Sequence, residues 1–494
     1  MCRFARLPQN HWLAAFTPAK GARASHALHV ATTTLDSTAA IVPLKLVRTI
    51  HEGGFRRASG VGMIEGSEGN KTRLRVLVLG AEGLIGRAVC DALQAAGHRP
   101  VPGVRRRQGS GGAGVDRVEV DFAHDIHQAD WLPRLRGIDA VVNAVGIFAE
   151  HGAQSFRRIH AQTPRALFAA CRETGITRVV QISALGADEH ASSRFHRSKR
   201  AGDAALRAMV PTGTVLQPSL VFGAAGASSR MLMSLAWLPL AVLPGGGRQP
   251  IQPIHVDDLA ALVVRLLEHD TRPECLAAVG PQALSLVRYL ALLRHALGGG
   301  RLRVLGIPTT WLARLGRLGG HWVDREALAM LERGSTADAA PATRWLGHAL
   351  RPPRLFLSSA EAADLRVLLA WRAWAVAGRV AVALVWLVTG VLSLGVYPVA
   401  GSLALLGRVG LHGTMAYVAL YGGALLDLAF GVATLLLRRR ALRRAYLAQV
   451  LLILSYTAII TVALPQFWLH PFGPILKNLP MLALIGMLYA SERR

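Results

Sequence analysis

Cysteine is scarce: the four among 494 residues, Cys2, Cys90, Cys171 and Cys275, stand far apart and form no CxxC or Cys/His grouping. That excludes a disulfide scaffold and a zinc site, so no metal is expected and the thiols read as free in a reducing compartment. Acids are also few, 30 Asp and Glu against 56 Lys and Arg. The resulting charge of +26 lacks the aromatic-interleaved basic stripe of a nucleic-acid binder, so membrane lipid, not nucleic acid, is the expected counter-charge. Charged residues make up only 17% of the chain against 52% apolar, which excludes a disordered or fibrous protein and argues against a wholly soluble one.

What is present divides by composition. Residues 1–70 lack sustained periodicity and carry three acids before Glu68. Three readings stand for them: a start codon assigned upstream of Met63, a disordered tail, or an Arg-rich transit peptide. From Arg73 to about Gly300, short β-branched runs (75–80, 140–145, 178–183, 214–216) alternate with amphipathic stretches such as 85–96 and 164–174. Continuous apolar strands interleaved with helices predict a parallel sheet covered on both faces. The glycine-rich stretch 109–114 is expected to be a surface loop, and 301–365 a mostly helical linker.

Beyond Trp371 the pattern is that of a membrane protein. Val380 to Gly407 and Ala445 to Leu476 carry no charge, and Leu411 to Leu437 only Asp427. Each run exceeds the ~20 residues needed to cross a bilayer. Four spans are expected, near 373–395, 415–437, 445–464 and a marginal 474–490. Arg366, Arg372, Arg379, Arg438 to Arg440, Arg443, Arg444, Arg493 and Arg494 lie on one side, against Arg408 and Lys477 on the other. The positive-inside rule then puts the soluble part and the C-terminus in the cytoplasm, at an inner membrane. Asp427, near the middle of its span, should face the bundle interior. There it either meets His412, Gln449, Tyr456 or Lys477 or stays neutral against a neighbouring helix. Haem ligation by His412 or His470 is a minor alternative.

The first strand, Leu74 to Leu79, runs into Gly80-Ala81-Glu82-Gly83-Leu84-Ile85-Gly86 and then a helix. Glycine there allows a tight turn, close backbone approach to a pyrophosphate and helix-on-strand contact, while the helix N-terminus supplies N–H groups. Asp121 follows the third strand, Asn143 to Gly146 end the fourth, Ser183 ends the fifth and Lys199 lies in the next helix. With 217–223 and 253–259, these stretches resemble an atypical or extended short-chain dehydrogenase/reductase, close to NmrA-like regulators and the nucleotide-binding accessory subunit of respiratory complex I. The resemblance implies that Gly80, Gly83 and Gly86 hold a diphosphate, that Asp121 lies near the adenine, and that Asn143 belongs to the same site. Arg105, Arg106 and Arg107 close the second strand where an NAD-preferring site usually carries a carboxylate, so NADP(H) is favoured, with NAD(H) the alternative or a solvated loop face the blander reading.

In that family a Tyr, a Lys four residues later and a Ser carry the proton of hydride transfer. Ser183 and Lys199 fit the pattern, but the tyrosine position is Phe195, and Gln217 replaces a customary Arg. His196 is adjacent; a ~100° helical step turns it away, leaving it a surface residue or, alternatively, a substitute acid. Residues 370–494 resemble the DoxX-like four-helix membrane proteins through 386–398, 421–427 and 464–474.

The expected fold class is thus α/β, a Rossmann-type doubly wound parallel sheet, followed by an all-α four-helix transmembrane bundle. The division is 1–70 leader, 71–300 nucleotide-binding domain, 301–365 linker and 366–494 membrane domain. Two functions compete: a membrane-tethered reductase with a lipophilic or quinone-like acceptor, and a catalytically silent nucleotide-bound sensor or assembly module partnered with a respiratory-chain component. A transporter rests on Asp427 alone.

Overall fold

The computed structural model describes residues 73–105, 116–309, 333–469, 473 and 475–492. The expected leader, Arg106, Arg107, the 109–114 loop, His470, Arg493 and Arg494 lie outside the described residues. The main sheet has seven parallel strands: β1 (Arg75–Leu79), β2 (Arg99–Val104), β3 (Val118–Glu119), β4 (Ala140–Asn143), β5 (Arg178–Ile182), β6 (Thr214–Pro218) and β7 (Cys275–Ala278). Their order is 3-2-1-4-5-6-7, so the chain reverses direction across the sheet between β1 and β4, where open α/β sheets bind ligands.

Side-chain alternation along β1 builds a core on each face. Val76 and Val78 join α1 (Leu84–Ala95) and α5 (Val256–Glu268) on one side. Leu77 and Leu79 join α2 (Thr163–Glu173) and the last turns of α3 (Arg194–Met209) on the other. A third core gathers α4 (Ala227–Trp237), α6 (Leu286–Ala296) and a two-stranded parallel ribbon of Leu240–Pro244 with Arg303–Ile307. Within 301–365, expected to be mixed and mostly helical, Arg303 to Ile307 is a strand because it finds a partner some sixty residues upstream, which local pattern does not reveal. The short α7 (Ala340–Leu346) packs on α5.

Helix α8 (Ser359–Val391) starts at a capping box in which Ser358 Oγ accepts from Glu361 N at 3.2 Å and the Glu361 carboxylate accepts from Ser358 N at 3.0 Å. Its Leu365 and Leu369 belong to the third core, whereas its Val382 and Trp386 belong to a fourth core with later helices. Among the described residues three helical runs are long and apolar enough to cross a membrane: α8 with the turn that follows it, α10 (Gly413–Leu436) and α11 (Arg439–Ala463). Between them lies α9 (Val399–Arg408), and α12 (Asn478–Ser491) occupies the place of the expected fourth span with only 14 residues. Thr434, Gln449 and Trp386 form a buried chain, Gln449 Nε2 donating to Thr434 Oγ1 at 2.8 Å and Trp386 Nε1 donating to Gln449 Oε1 at 3.1 Å. Gln449 is therefore engaged away from Asp427, and the Tyr456 hydroxyl lies against Gly423, one helical turn before Asp427. Asp427 Oδ1 has no hydrogen-bond partner among the described residues.

Candidate functional site

The glycine turn is built by close approaches that other residues would block. Gly80 has φ of +77°, and a Cβ on it would stand 3.0 Å from the Ala144 carbonyl oxygen. A Cβ on Gly86 would stand 2.2 Å from the Gly80 oxygen, so this glycine is what lets α1 lean on the end of β1. Gly83 N donates to Gly80 O at 2.9 Å and closes the turn. Gly83 is also the N-cap of α1, with no capping side chain and no acid in the first turn. The helix thus opens with N–H groups and a positive dipole end that no side chain of its own neutralises, beside a cradle that a Cβ would fill. That arrangement fits the diphosphate of a nicotinamide dinucleotide.

Arg105 follows β2 and is exposed. With the Gln154 amide turned so that its oxygen faces the guanidinium, Arg105 donates to it at 3.0 and 3.1 Å. Asp121 accepts from Ala123 N at 2.9 Å and pairs with His124 Nδ1 at 2.8 Å. Partial burial raises its carboxyl, but these bonds and the nearby charges of His124 and Arg105 outweigh that and hold it below the usual range. Asn143 is fully buried; its amide donates to Gln181 Oε1 at 2.7 Å and its oxygen accepts from Val145 N at 3.2 Å. It joins β4 to β5 and shapes the loop that follows.

Around α3 a compact polar cluster forms. Lys199 Nζ donates to the Ile182 carbonyl at 3.0 Å and the Val145 carbonyl at 3.4 Å, at the ends of β5 and β4. A Cβ on Gly146 would lie 3.1 Å from the same nitrogen. One turn along α3, the fully buried Asp203 accepts from Ser183 Oγ at 2.5 Å. Burial lowers Lys199 to about 8, opposed by the Asp203 charge. Burial raises Asp203 to about 6, opposed by the Ser183 hydrogen bond and the Lys199 charge. Between those values both carry charge and each feels the other's field, while Lys199 stays bonded to the two carbonyls and the Ser183 hydroxyl proton is committed to Asp203.

Phe195 is 5% exposed and sits in an aromatic nest: Phe148 stacks on it at 5.3 Å, and Phe156 and His160 meet it edge-on at 6.1 and 5.5 Å. His160 Nε2 accepts from Ile147 N at 3.0 Å, so its Nδ1 proton goes to Ser198 Oγ at 2.8 Å, and Ser198 in turn donates to the Phe195 carbonyl at 2.7 Å. Burial and the Lys199 charge lower His160 to about 2, which keeps it neutral at any working pH. The expectation of a surface His196 is corrected. It is 7% exposed, because Ser193, the N-cap of α3, accepts from its backbone N–H at 3.1 Å and lies 3.0 Å from its Nδ1. Gly80, Gly83, Gly86 and the Asn143 loop thus gather where the strand order reverses, and Ser183 and Lys199 at the ends of β5 and on α3. Asp203 was missed, although its spacing of four from Lys199 puts both on one helical face. His160 had no such signal, since it lies on a π-turn, Arg158–Gln162, that breaks the helical phase.

A glycine turn at the reversal of a 3-2-1-4-5-6-7 parallel sheet, facing an uncapped helix, defines a Rossmann-type dinucleotide-binding domain. Residues 76–277 match the model of the NAD dependent epimerase/dehydratase family, and residues 383–486 match that of the DoxX-like family. It is 32% identical over 192 residues to a ceramide reductase of Caulobacter vibrioides, covering 38% of this chain and 59% of that one. It is 25% identical over 234 residues to the mitochondrial NADH dehydrogenase [ubiquinone] 1 alpha subcomplex subunit 9 of Mus musculus, covering 44% and 60%. The chain thus spans about 60% of the length of these curated relatives. A solved UDP-N-acetylglucosamine 4-epimerase from Bacillus cereus aligns at 16% identity with a TM-score of 0.45, over 60% of this chain and 99% of that one.

Proposed function

We propose that this chain is a membrane-tethered, nicotinamide-nucleotide-dependent oxidoreductase acting on a lipophilic carbonyl or quinone-like acceptor. The observation that carries the reading is α8, which begins inside a core of the nucleotide-binding half and continues as an apolar helix of spanning length. A reaction site held on that helix meets acceptors dissolved in lipid. Similarity to a protein named ceramide reductase supports a lipid substrate. In this reading a bound nucleotide supplies hydride. Gly80, Gly83 and Gly86 hold its diphosphate, Asp121 and Asn143 border the adenine and central part of the cleft, and Arg105 favours NADP(H) over NAD(H). Lys199 supplies positive charge, and neither Ser183, bonded to Asp203, nor Phe195 delivers a proton, with His196 the remaining nearby imidazole.

We keep the domain division read from the sequence as a proposal, with its middle boundary moved beyond the ribbon. Orientation with the soluble half and C-terminus in the cytoplasm is supported by Arg379, which donates to the Thr434, Leu435 and Leu437 carbonyls at 2.6, 3.0 and 2.7 Å. Arg443 supports it too, donating to Tyr489 Oη at 2.8 Å. Both contacts bring the arginine-rich ends of the helices together, as the positive-inside rule requires.

The Ser183–Asp203 bond and Phe195 favour a second reading, a nucleotide-bound but silent module. Kinship with subunits of NADH dehydrogenase gives that reading a respiratory-chain partner. One experiment separates the two: purify the full chain in detergent, identify any copurified nucleotide, and follow NADPH oxidation with a long-chain keto-lipid and with a quinone. Turnover with either supports the enzyme; a retained nucleotide with no turnover supports the silent module.

A further inference from the structure

The ribbon of the third core has an outer face that strand alternation should make polar but does not. Ala241 and Leu243 point into the core, whereas Leu240 and Val242 are each 46% exposed. Leu305, 51% exposed, pairs with Val242 across the ribbon. Leu238 at 46% and Met231 at 64%, just before the ribbon, are also exposed. A half-buried ribbon in water would carry polar side chains at such positions.

Charge on the stretches that build the ribbon, α4 and α6 has one sign, the nearby acids Glu361 and Asp364 lying on α8. Residues 223–256 and 275–309 contain Arg230, Arg248, Arg288, Arg294, Arg301 and Arg303 and no Asp or Glu. Its height is set by α8. Leu369 lies in the same core as Ala241, Leu243 and Val304. Trp371 and Trp374 follow at once and are exposed, as rings at a membrane interface are. Ten residues past Leu369, or about 15 Å of helix, Arg379 caps α10 at the arginine-rich end of the spanning helices.

We infer that the outer face of the ribbon, Leu238, Leu240, Val242 and Leu305, rests in the headgroup and upper acyl layer of the leaflet that α8 enters, with Arg301 and Arg303 against anionic lipid. The occupant is the bilayer because α8 ties the core beneath the ribbon within about 15 Å of the arginine-rich end of the spanning helices, and because a face with arginines and no acids complements anionic headgroups and repels a second copy of itself. The soluble half then has two attachments, one helix through the membrane and one ribbon on it, and cannot swing freely about α8.

The inference rests on α8 crossing the membrane and on no catalytic role. The test uses the full chain with Cys2, Cys90 and Cys275 replaced by Ser, reconstituted in phosphatidylglycerol-containing nanodiscs. A single spin label is placed at Val242→Cys, Leu305→Cys, Arg172→Cys on the exposed side of α2, or Val385→Cys within α8, and retention of nucleotide binding serves as the check on folding. Labels at 242 and 305 are expected to collide severalfold more with molecular oxygen than with a water-soluble nickel chelate, and the label at 172 to show the reverse. Nickel access at 242 and 305 equal to that at 172 overturns the docking. So does low access to both reagents, which signals a protein cover, and so does spin–spin broadening at 242, which signals a second copy. Nickel access at 385 defeats the membrane reading itself, an outcome distinct from nickel access at the ribbon alone.

Discussion

The cradle at the end of β1 and the polar cluster at the ends of β4 and β5 share one sheet edge, yet they have been treated differently. At the cradle, three glycines let the turn, the start of α1 and the Ala144 backbone approach one another where Cβ atoms would collide with main chain, and α1 opens without a capping side chain. At the cluster, Ser183 donates to Asp203, and Phe195 fills its position with an aromatic nest. In the proposed reading nucleotide binding and proton delivery are therefore separable: the residues proposed for the first are in place, while those for the second are diverted or replaced. The predictions that follow push on that separation.

Phe195→Tyr should have the largest effect. A phenol one helical turn before Lys199 restores a general acid, a step worth ~10²–10⁴ in rate, so ketone-dependent NADPH oxidation should rise by about that factor while nucleotide affinity stays level. Ordinary ketone turnover by the unaltered protein, abolished by His196→Ala, would instead make the buried imidazole the acid.

Gly83→Trp tests the other side. The indole would occupy the cradle and displace a diphosphate from the N–H groups of α1. With two charge-assisted hydrogen bonds at ~1.5–3 kcal/mol each at stake, affinity for NADP(H) and NAD(H) alike should weaken ~100-fold or more. Calorimetry on the detergent-solubilised chain checks it, and unchanged affinity would move the site elsewhere.

How much of this was legible beforehand follows the same division. The cradle announces itself, because glycine spacing between a strand and a helix is a local pattern and its steric cause is local. The parallel sheet was readable from β-branched runs for the same reason. The cluster was not: the partner of Ser183 comes from α3, twenty residues on, and the burial of His196 depends on a capping bond to Ser193. The Ser193–His196 spacing of three was visible, but its consequence for the side chain depends on what packs over the first turn of α3. The Arg303–Ile307 strand was hidden altogether, since pairing with Leu240–Pro244 is a tertiary event.

Arg105 is where the proposed preference for NADP(H) can be tested. It is exposed at the end of β2, and a 2′-phosphate would replace the Gln154 amide as its partner. Arg105→Ser should weaken NADPH about tenfold, the worth of one charge-assisted hydrogen bond of ~1.5 kcal/mol, and leave NADH nearly unaffected. Equal weakening of both would assign Arg105 to the fold and not to the cofactor.

The smallest expected effect joins the two regions through Lys199. Its ammonium is lowered to about 8 by burial, with Asp203 resisting the shift. Below that pH the group is charged and attracts the phosphates of a nucleotide; above it the attraction fades. If only the charged form binds well, affinity falls roughly fourfold between pH 7 and pH 8.5, from the change in protonated fraction. The folding contribution runs the other way. A depressed folded pKa means stability present above the ordinary lysine range and lost as pH falls through about 8, so the nucleotide-free chain gains stability over the same rise that weakens its ligand. Fluorescence titration with NADPH at the two pH values, beside thermal unfolding without ligand, should show these opposite slopes. Lys199→Arg should flatten the affinity limb while keeping binding, and Lys199→Met should flatten both. An affinity that is level across pH 8 in the unaltered protein would separate Lys199 from the nucleotide and leave it a buried partner of Asp203 alone.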